Sequence, residues 1–199
     1  MEPVIETNTA FVCIFLLALA WFFLRKYAHN PFEKTLQRAA AGNAQAQYEM
    51  GHLYYSGKQV ERNFVQAFNW FDTAAKQGHV RALIAVAGLY NEGKGCAQNK
   101  KMAFDCYKQA AKTGDLEARV NLAVCYLQGS GTEKNEAQGA EILKAAAQDK
   151  SPLAQTLLGD LYERGIGVEQ NEKEAVRYYV MAAKQGEPIA KEKLEKRKK

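Results

Sequence analysis

The sequence predicts an all-α fold: a right-handed superhelical solenoid of four 36-residue helix–turn–helix repeats with capping helices, preceded by one transmembrane helix. Three observations predict it. The phrase "LYNEGKGCAQN" at residues 89–99 returns as "LYERGIGVEQN" at 161–171. The segments 42–77, 78–113, 114–149 and 150–185 align with no insertion, and internal repetition with a period of about 20–50 residues marks a solenoid. Ahead of the repeats, residues 10–24 read "AFVCIFLLALAWFFL", an uncharged apolar run.

Residues 1–8 form a short extracytoplasmic N-terminus and 9–28 the anchor. The apolar run alone is shorter than the roughly 20 residues that cross a bilayer. Thr9, Tyr27 and Ala28, with Arg25 and Lys26 snorkelling, make up the length. A cleaved signal peptide is the rival reading, because Ala18-Leu19-Ala20 is a passable cleavage site. Against it, the residues before the run include Glu2 and Glu6 and no Lys or Arg. Arg25, Lys26, Lys34 and Arg38 come after it, so the positive-inside tendency puts the body in the cytoplasm. A short N-terminal anchor on a small repeat protein points to a bacterial inner membrane.

Residues 30–41 read as an N-capping helix. Asn30 is its N-cap and Pro31 its first helical residue. Phe32 falls in the Phe68 column and Ala39 in the Ala75 column, as in a lone second helix of a repeat.

Each full repeat then reads as two helices. Ala46, Ala82, Ala118 and Ala154 share one column of the first helix, and Tyr54, Tyr90, Tyr126 and Tyr162 another. Gly57, Gly93, Gly129 and Gly165 stand where that helix must end in a left-handed turn. Asn63, Asn99, Asn135 and Asn171 cap the second helix; Gln66, Gln138 and Glu174 occupy the capping-box position, which Met102 breaks. Alanine columns at Ala74, Ala110, Ala146, Ala182 and at Ala75, Ala111, Ala147, Ala183 let neighbouring helices approach closely. No single pair buries its apolar face alone, so stability comes from stacking. Two departures stand out. Gln59 replaces the glycine of Gly95, Gly131 and Gly167, which predicts a different loop in repeat 1. Gly139 replaces an alanine and should cost its helix up to about 1 kcal/mol. Residues 186–199 form a C-capping helix, with Ala190 and Leu194 in the first-helix columns, and a basic tail.

Charge narrows the function classes. Residues 42–185 carry 17 basic and 16 acidic side chains, so the net charge of +5 lies mostly in the tail "KEKLEKRKK". A nucleic-acid-binding body would carry a basic stripe of its own. The tail reads as a solvated helix end, with attraction to anionic lipid as the sharper alternative. Cys13, Cys96, Cys106 and Cys125 form no CxxC pair and have no histidine at metal-ligand spacing. The last three occupy columns held elsewhere by apolar residues and read as small buried hydrophobes.

The pattern A-x-x-x-[LMV]-[GA]-x-x-Y-x-x-G-x-G-x-x-x-N, followed by A-x-x-x-[FY]-x-x-A-A, resembles the Sel-one-like repeat, a relative of the tetratricopeptide repeat. The resemblance covers 42–185 in full and 30–197 with caps. The paired cysteines of the disulfide-stapled secreted members are absent from this sequence. The resemblance implies a protein-binding array whose concave face is lined by first helices.

No catalytic or cofactor motif accompanies the repeats. "GKGC" at 93–96 lacks the ending of a phosphate-binding loop, and Ser56, Ser130 and Ser151 have no lysine three residues on. His29, His52 and His79 are scattered and read as surface polar residues. A non-enzymatic protein with no cofactor and no metal is expected.

By analogy with tetratricopeptide repeats, the groove positions lie between the buried columns. They are Gln45, Tyr48, His52 and Tyr55 in repeat 1, and Arg81, Ile84, Gly88 and Asn91 in repeat 2. Repeat 3 gives Glu117, Val120, Val124 and Leu127, and repeat 4 Leu153, Thr156, Asp160 and Glu163. Val120, Val124 and Leu127 form a second apolar stripe on a helix already packed by its other face. Two readings of the stripe stand side by side: sideways packing against Ile84 and repeat 4, or a groove floored by Ile84, Val120, Val124 and Leu127. In the second reading, Tyr48 and Tyr55 stand at one end and Asp160 and Glu163 at the other; His52, Asn91 and Thr156 complete the expected partner-binding set. Such a groove takes an amphipathic helix or extended peptide with a basic end. The expected function is that of a membrane-anchored protein–protein interaction scaffold. The alternative keeps the fold but sets the repeats outside the cytoplasm, in a cell-envelope complex.

Overall fold

The computed structural model describes residues 12–19, 21 and 30–197. Residues 12–19 are helical (α1), and so is Trp21. The body runs α2 Pro31–Ala40, α3 Ala44–Ser56, α4 Phe64–Lys76, α5 Val80–Glu92, α6 Lys100–Ala111, α7 Leu116–Gln128, α8 Glu136–Gln148, α9 Pro152–Arg164, α10 Glu172–Lys184 and α11 Pro188–Lys196. Each of these helices packs chiefly on its neighbours in the chain, so α3/α4, α5/α6, α7/α8 and α9/α10 form a stacked row closed by α2 and α11.

The alanine columns are the spine of the stack. Ala46, Ala82, Ala118 and Ala154 are fully buried, as are Ala74, Ala110, Ala146 and Ala182. Asn30 caps α2 as predicted, accepting from the Phe32 amide, with Pro31 in the first turn. Asn63, Asn99, Asn135 and Asn171 each accept from the backbone N–H three residues on. The capping box, however, is only half built. The backbone N–H that a box residue would take donates instead to a tyrosine-column carbonyl: Asn63 to Tyr54, Asn99 to Tyr90, Asn135 to Tyr126 and Asn171 to Tyr162. Met102 therefore forgoes no backbone bond; Gln138 adds only a side-chain contact, accepting from Asn135 Nδ2 at 3.3 Å. A second cap column, Asn43, His79, Asp115 and Ser151, serves the first helices in the same way.

Gln59 does not give a different loop. It keeps the left-handed backbone (φ 68°) of Gly95 and Gly131 (φ 73° each). What demands glycine in the later repeats is space: a Cβ on Gly131 would lie 2.0 Å from the Lys100 carbonyl oxygen, at the start of the preceding repeat's second helix. The residues that would stand in the same place before Gln59, 28 and 29, lie outside the described residues. Gly139 is also a packing requirement, since a Cβ there would lie 2.7 Å from Leu127 Cγ and 3.0 Å from the Ala123 carbonyl oxygen.

Side-chain latches join repeats across the alanine spine. Gln47 donates to the Ala39 carbonyl and accepts from Gln77 at 2.6 Å; Gln155 donates to the Ala147 carbonyl and accepts from Gln185 at 2.8 Å. In the same two columns Arg119 pairs with Asp149 at 2.5 Å. Cys125 is buried and Cys96 and Cys106 half-buried, and burial raises all three thiols above their ordinary range.

Of the predicted anchor 9–28, only residues 12–19 and 21 are described. Val12, Ile14, Phe15, Leu16, Leu17, Leu19 and Trp21 are exposed. Among the described residues no helix is long and apolar enough to cross a membrane. The remainder of the predicted anchor and the N-terminal segment 1–8 lie outside the described residues.

Candidate functional site

The first helices of repeats 1–3 frame a cavity of about 520 Å³. α3 contributes Tyr48, His52 and Tyr55; α5 contributes Arg81, Ile84, Ala85, Gly88, Leu89 and Glu92; α7 contributes Glu117 and Asn121. Two second-helix rings, Phe71 and Tyr107, reach through between them. The lateral walls are thus aromatic on the repeat 1 side and polar on the repeat 3 side.

The aromatic wall is built by contact. Tyr48 stacks on His79 with ring centres 4.7 Å apart, meets His52 edge-on at 4.7 Å, and tilts against Phe71 at 5.7 Å. Phe71 can stand there because position 51 is glycine; a Cβ at Gly51 would lie 2.4 Å from the ring. His79 Nδ1 accepts from the Ala82 amide, so Nε2 carries the proton and donates to Gln45 at 3.0 Å. Burial, and then the Arg81 guanidinium, hold His52 below the ordinary histidine range. Burial and Arg81 hold His79 low as well, against a backbone hydrogen bond that works the other way. Both rings are therefore neutral near pH 7.

Tyr107 forms part of the polar wall. Burial, reinforced by nearby Cys125, Glu117 and Glu92, pushes its hydroxyl up to about 12, so it stays a neutral donor. Among the described residues no hydrogen-bond partner takes that hydroxyl, and it is not sealed from solvent. Glu92 pairs with Lys94 at 2.6 Å. Arg81 and Glu117 are exposed and, among the described residues, have no ion-pair partner.

The structure sorts the predicted partner-binding residues into three groups. Tyr48, His52, Tyr55 and Ile84 share the cavity, together with the groove positions Arg81, Gly88 and Glu117. Val120 and Thr156 do not face a partner. Val120 is 2% exposed and packs with Ala140, Leu143 and Leu158, while Thr156 is 1% exposed with its hydroxyl bonded to the Pro152 carbonyl. Leu127 lies over Gly139, and Val124 is half-buried. Val120 thus packs toward repeat 4, in a cluster that does not include Ile84, while Leu127 turns onto Gly139 within its own repeat. Asn91 is exposed outside the cavity.

Asp160 and Glu163 are already engaged, and by the chain itself. The Tyr179 hydroxyl lies 2.5 Å from Asp160 Oδ1 and 2.9 Å from Glu163 Oε2. Lys193 of α11 meets Asp160 at 2.7 Å and Glu163 at 3.4 Å, and Arg197 bonds Glu163 and, at 2.9 Å, Glu172. Burial alone would raise the Glu163 carboxyl, but Tyr179, Arg197 and Lys193 outweigh it and hold the group low. Part of the basic tail is thus a clasp on repeat 4 rather than a solvated helix end.

Sequence reasoning missed Phe71, Tyr107, Glu92 and Asn121. A signal was present: the second-helix column Phe71, Tyr107, Leu143, Tyr179 faces the small column Gly51, Ala87, Ala123, Gly159. Big rings opposite small residues mark side chains that cross to the groove.

Stacked helix pairs with an open, mixed-polarity concave cavity define the helical-repeat class of protein-interaction folds. The Sel1 repeat model matches residues 44–79, 80–115, 116–151 and 152–187, so the chain belongs to the Sel1 repeat family. Proteins of this family generally mediate protein–protein interaction, on a fold that is generally non-enzymatic. Among solved structures, the chain resembles c5321, described as a protective antigen present in uropathogenic Escherichia coli strains, at 34% identity and TM-score 0.73, over 78% of this chain and 33% of that one. It also resembles a Sel1 repeat protein from Oxalobacter formigenes, at 25% identity and TM-score 0.71, over 76% of this chain and 62% of that one. The immunity protein PA5088 from Pseudomonas aeruginosa shares the fold at 23% identity and TM-score 0.54, over 76% of this chain and 55% of that one. The chain thus spans between a third and about three fifths of the length of these three relatives. No curated protein matches it.

Proposed function

We propose that the chain is a membrane-anchored adaptor that captures a partner polypeptide in the concave cavity of repeats 1–3. One observation carries the reading: the cavity of about 520 Å³ is lined mainly by first-helix side chains, and Arg81, Glu117 and the Tyr107 hydroxyl have no partner there among the described residues. A pocket with a few convergent polar groups is the default place for a ligand to bind. The absence of a nucleophile–base pair in the sequence, and the family's general role, support binding over catalysis. The exposed apolar residues of α1, followed by Arg25, Lys26, Lys34 and Arg38, support an anchor with the repeats on the cytoplasmic side.

Two measurements test this. A photo-crosslinking residue at position 81, inside the cavity, should give one dominant polypeptide adduct in living cells, and the same residue at position 141, exposed on α8, should not. Equal adducts at both positions, or none at 81, would overturn the groove. For the anchor, a C-terminal reporter active only outside the cytoplasm would overturn the orientation and favour the envelope-complex alternative.

A further inference from the structure

We propose that the edge of the array formed by the loops within repeats 1 and 2 docks on the membrane surface, where its basic and apolar side chains meet anionic lipid headgroups. This rests on the anchor reading above and names the face that meets the bilayer.

Topology decides which edge can reach the membrane. Each loop that joins a first helix to a second packs on the start of the preceding second helix. A Cβ on Gly95 would lie 2.0 Å from the Phe64 carbonyl oxygen, and one on Gly131 2.0 Å from that of Lys100. The loops 57–63, 93–99, 129–135 and 165–171 therefore share one edge with the starts of α4, α6, α8 and α10. α2 is a lone second helix that packs on α3 as α4 packs on α5, so it too starts toward this edge, at Pro31. The anchor predicted from the sequence ends at residue 28, which sets Pro31 within about 11 Å of its end. Asn30 caps α2 through the Phe32 amide, so the body has no long tether on which to turn another face to the bilayer.

The edge changes character along its length. Over 55–66 and 91–102 it carries five basic and two acidic side chains. The same columns in repeats 3 and 4, residues 127–138 and 163–174, carry three basic and six acidic ones. The charges near α2 are free to act outward. Lys58, Arg62, Lys100 and Lys101 are exposed and have no ion-pair partner among the described residues, whereas Lys94 pairs with Glu92 at 2.6 Å. Arg62 Cζ and Lys94 Nζ each stand 5.6 Å from the centre of the Phe64 ring, so one aromatic post gathers charge from two repeats. At the far end the acids meet the chain's own cation: Glu163 and Glu172 both take Arg197.

Apolar exposure is the independent observation. Outside α1, the large apolar residues exposed among the described residues are Tyr55, Val65, Met102, Leu153 and Ile189. Tyr55, Val65 and Met102, which are 36%, 54% and 41% exposed, stand on the basic half of the loop edge. Leu153 and Ile189 stand in the first turns of α9 and α11, at the opposite edge. In repeats 3 and 4 the columns of Val65 and Met102 hold Ala137, Lys173, Gln138 and Glu174. Apolar tips among unpaired lysines suit the boundary between headgroups and acyl chains, where the tips enter and the cations stay with the headgroups. The cytoplasmic leaflet, on which the positive-inside reading sets the repeats, is the anionic one. An acidic protein would satisfy the charges, but this surface begins beside the anchored helix, where lipid is the neighbour at hand. Docking by the loop edge also leaves the concave cavity clear of the bilayer.

The test reconstitutes the full chain in phosphatidylcholine vesicles, with and without roughly one-third phosphatidylserine, that contain a headgroup-spin-labelled lipid. A fluorescent residue replaces Ala97, in the repeat 2 loop, or Lys112, in a turn at the opposite edge. The expected result is stronger quenching at 97 than at 112, in the anionic vesicles only. Each basic residue near such a surface strengthens association about fivefold. Lys58→Gln/Lys100→Gln/Lys101→Gln should therefore shift the docked-to-undocked ratio by on the order of a hundredfold, and bring quenching at 97 down to its level in phosphatidylcholine. Val65→Ser/Met102→Ser should lower it as well. Equal quenching at 97 and 112, or quenching at 97 indifferent to phosphatidylserine and to the Gln substitutions, would overturn the docking and leave the anchor standing. An acidic polypeptide crosslinked through position 97 in cells, with no quenching there in vesicles, would overturn it in favour of a protein partner. A chain that fails to float with the vesicles after alkaline extraction would overturn the anchor reading itself.

Discussion

Gly167→Ala tests what sets the register of one repeat on the next. Gly167 has φ +66°, and a Cβ there would lie 2.2 Å from the Glu136 carbonyl oxygen and 2.5 Å from its carbon, at the start of α8. A left-handed backbone costs a non-glycine residue roughly 1–2 kcal/mol. The overlap is with backbone, which no rotamer change relieves, so the loop between α9 and α10 must lift off the preceding repeat; forced overpacking costs about 1–3 kcal/mol more. The total is about 2–5 kcal/mol. Gly186→Ala is the control. It has φ +95° and nothing within 4 Å of the added Cβ, so only the backbone cost of roughly 1–2 kcal/mol applies. Gln59→Gly runs the same argument in reverse and should stabilise repeat 1 by up to about 1 kcal/mol. Urea denaturation followed by circular dichroism gives the three differences, provided the slope with urea is unchanged. Equal losses for Gly167→Ala and Gly186→Ala would refute the claim that loop-on-helix contact fixes the register.

Four further outcomes follow from the same geometry. Tyr179→Phe removes a hydroxyl bonded to Asp160 and Glu163 and should cost about 1.5–3 kcal/mol, whereas Tyr107→Phe, which breaks no internal bond, should leave the denaturation midpoint nearly unchanged. His79 is held below its ordinary value of 6.5, so its neutral form contributes stability that is complete above that pH and lost as pH falls through the lower, folded value. His79→Asn keeps a capping side chain and should flatten the fall in Tm between about pH 7.5 and pH 5.5; parallel curves for wild type and variant would refute the assignment. Gly139→Ala should destabilise despite its better helix propensity, because Leu127 and the Ala123 carbonyl occupy the space, and a gain in Tm would show that they yield. Gly88→Ala has room and should stabilise by about 0.5–1 kcal/mol while weakening partner capture, as thermal melts and the crosslinking yield at position 81 would show.

The frame of the molecule is written in local chemistry, which is why the sequence displays it. Left-handed glycines, asparagine caps and alanines at close helix crossings impose their requirement within a few residues, four times over. The lining of the groove is only half local. The analogy with tetratricopeptide repeats puts Tyr48, His52, Tyr55 and Ile84 on the concave face, and the structure gathers them round one cavity with Arg81, Gly88 and Glu117. The same analogy assigns Val120 and Leu127 to the groove, but whether such a residue faces outward or packs inward depends on the size of its neighbour on another helix, here Gly139 under Leu127. Asp160 and Glu163 depend on a still more distant event, the return of Lys193 from α11 and of Arg197 just after it. The latches Gln47–Gln77 and Gln155–Gln185 join positions thirty residues apart that no helical period relates.

One structural locus recurs at every junction of the array, and three of the four junctions fill it, each differently. Between repeats 1 and 2 it holds the rings of His52 and Phe71, 5.3 Å apart and edge-on. In repeat 3 it holds Val124, half-buried, with Leu127 turned onto Gly139 and Leu143 fully buried behind. Between repeat 4 and α11 it holds the Tyr179, Asp160 and Lys193 cluster. Aromatic, aliphatic and ionic fillings are three solutions to one packing problem, since a stacked repeat must cover the groove side of its second helix. At the junction of repeats 2 and 3 the problem is left unsolved: glycine at 88, asparagine at 121 and an unengaged tyrosine hydroxyl between them. A junction that needed only stability would take one of the other three fillings. The open junction forgoes that stability, and a ligand that completes it restores the contact by binding. In the proposed reading, recognition falls at the repeat whose own side chains stop short.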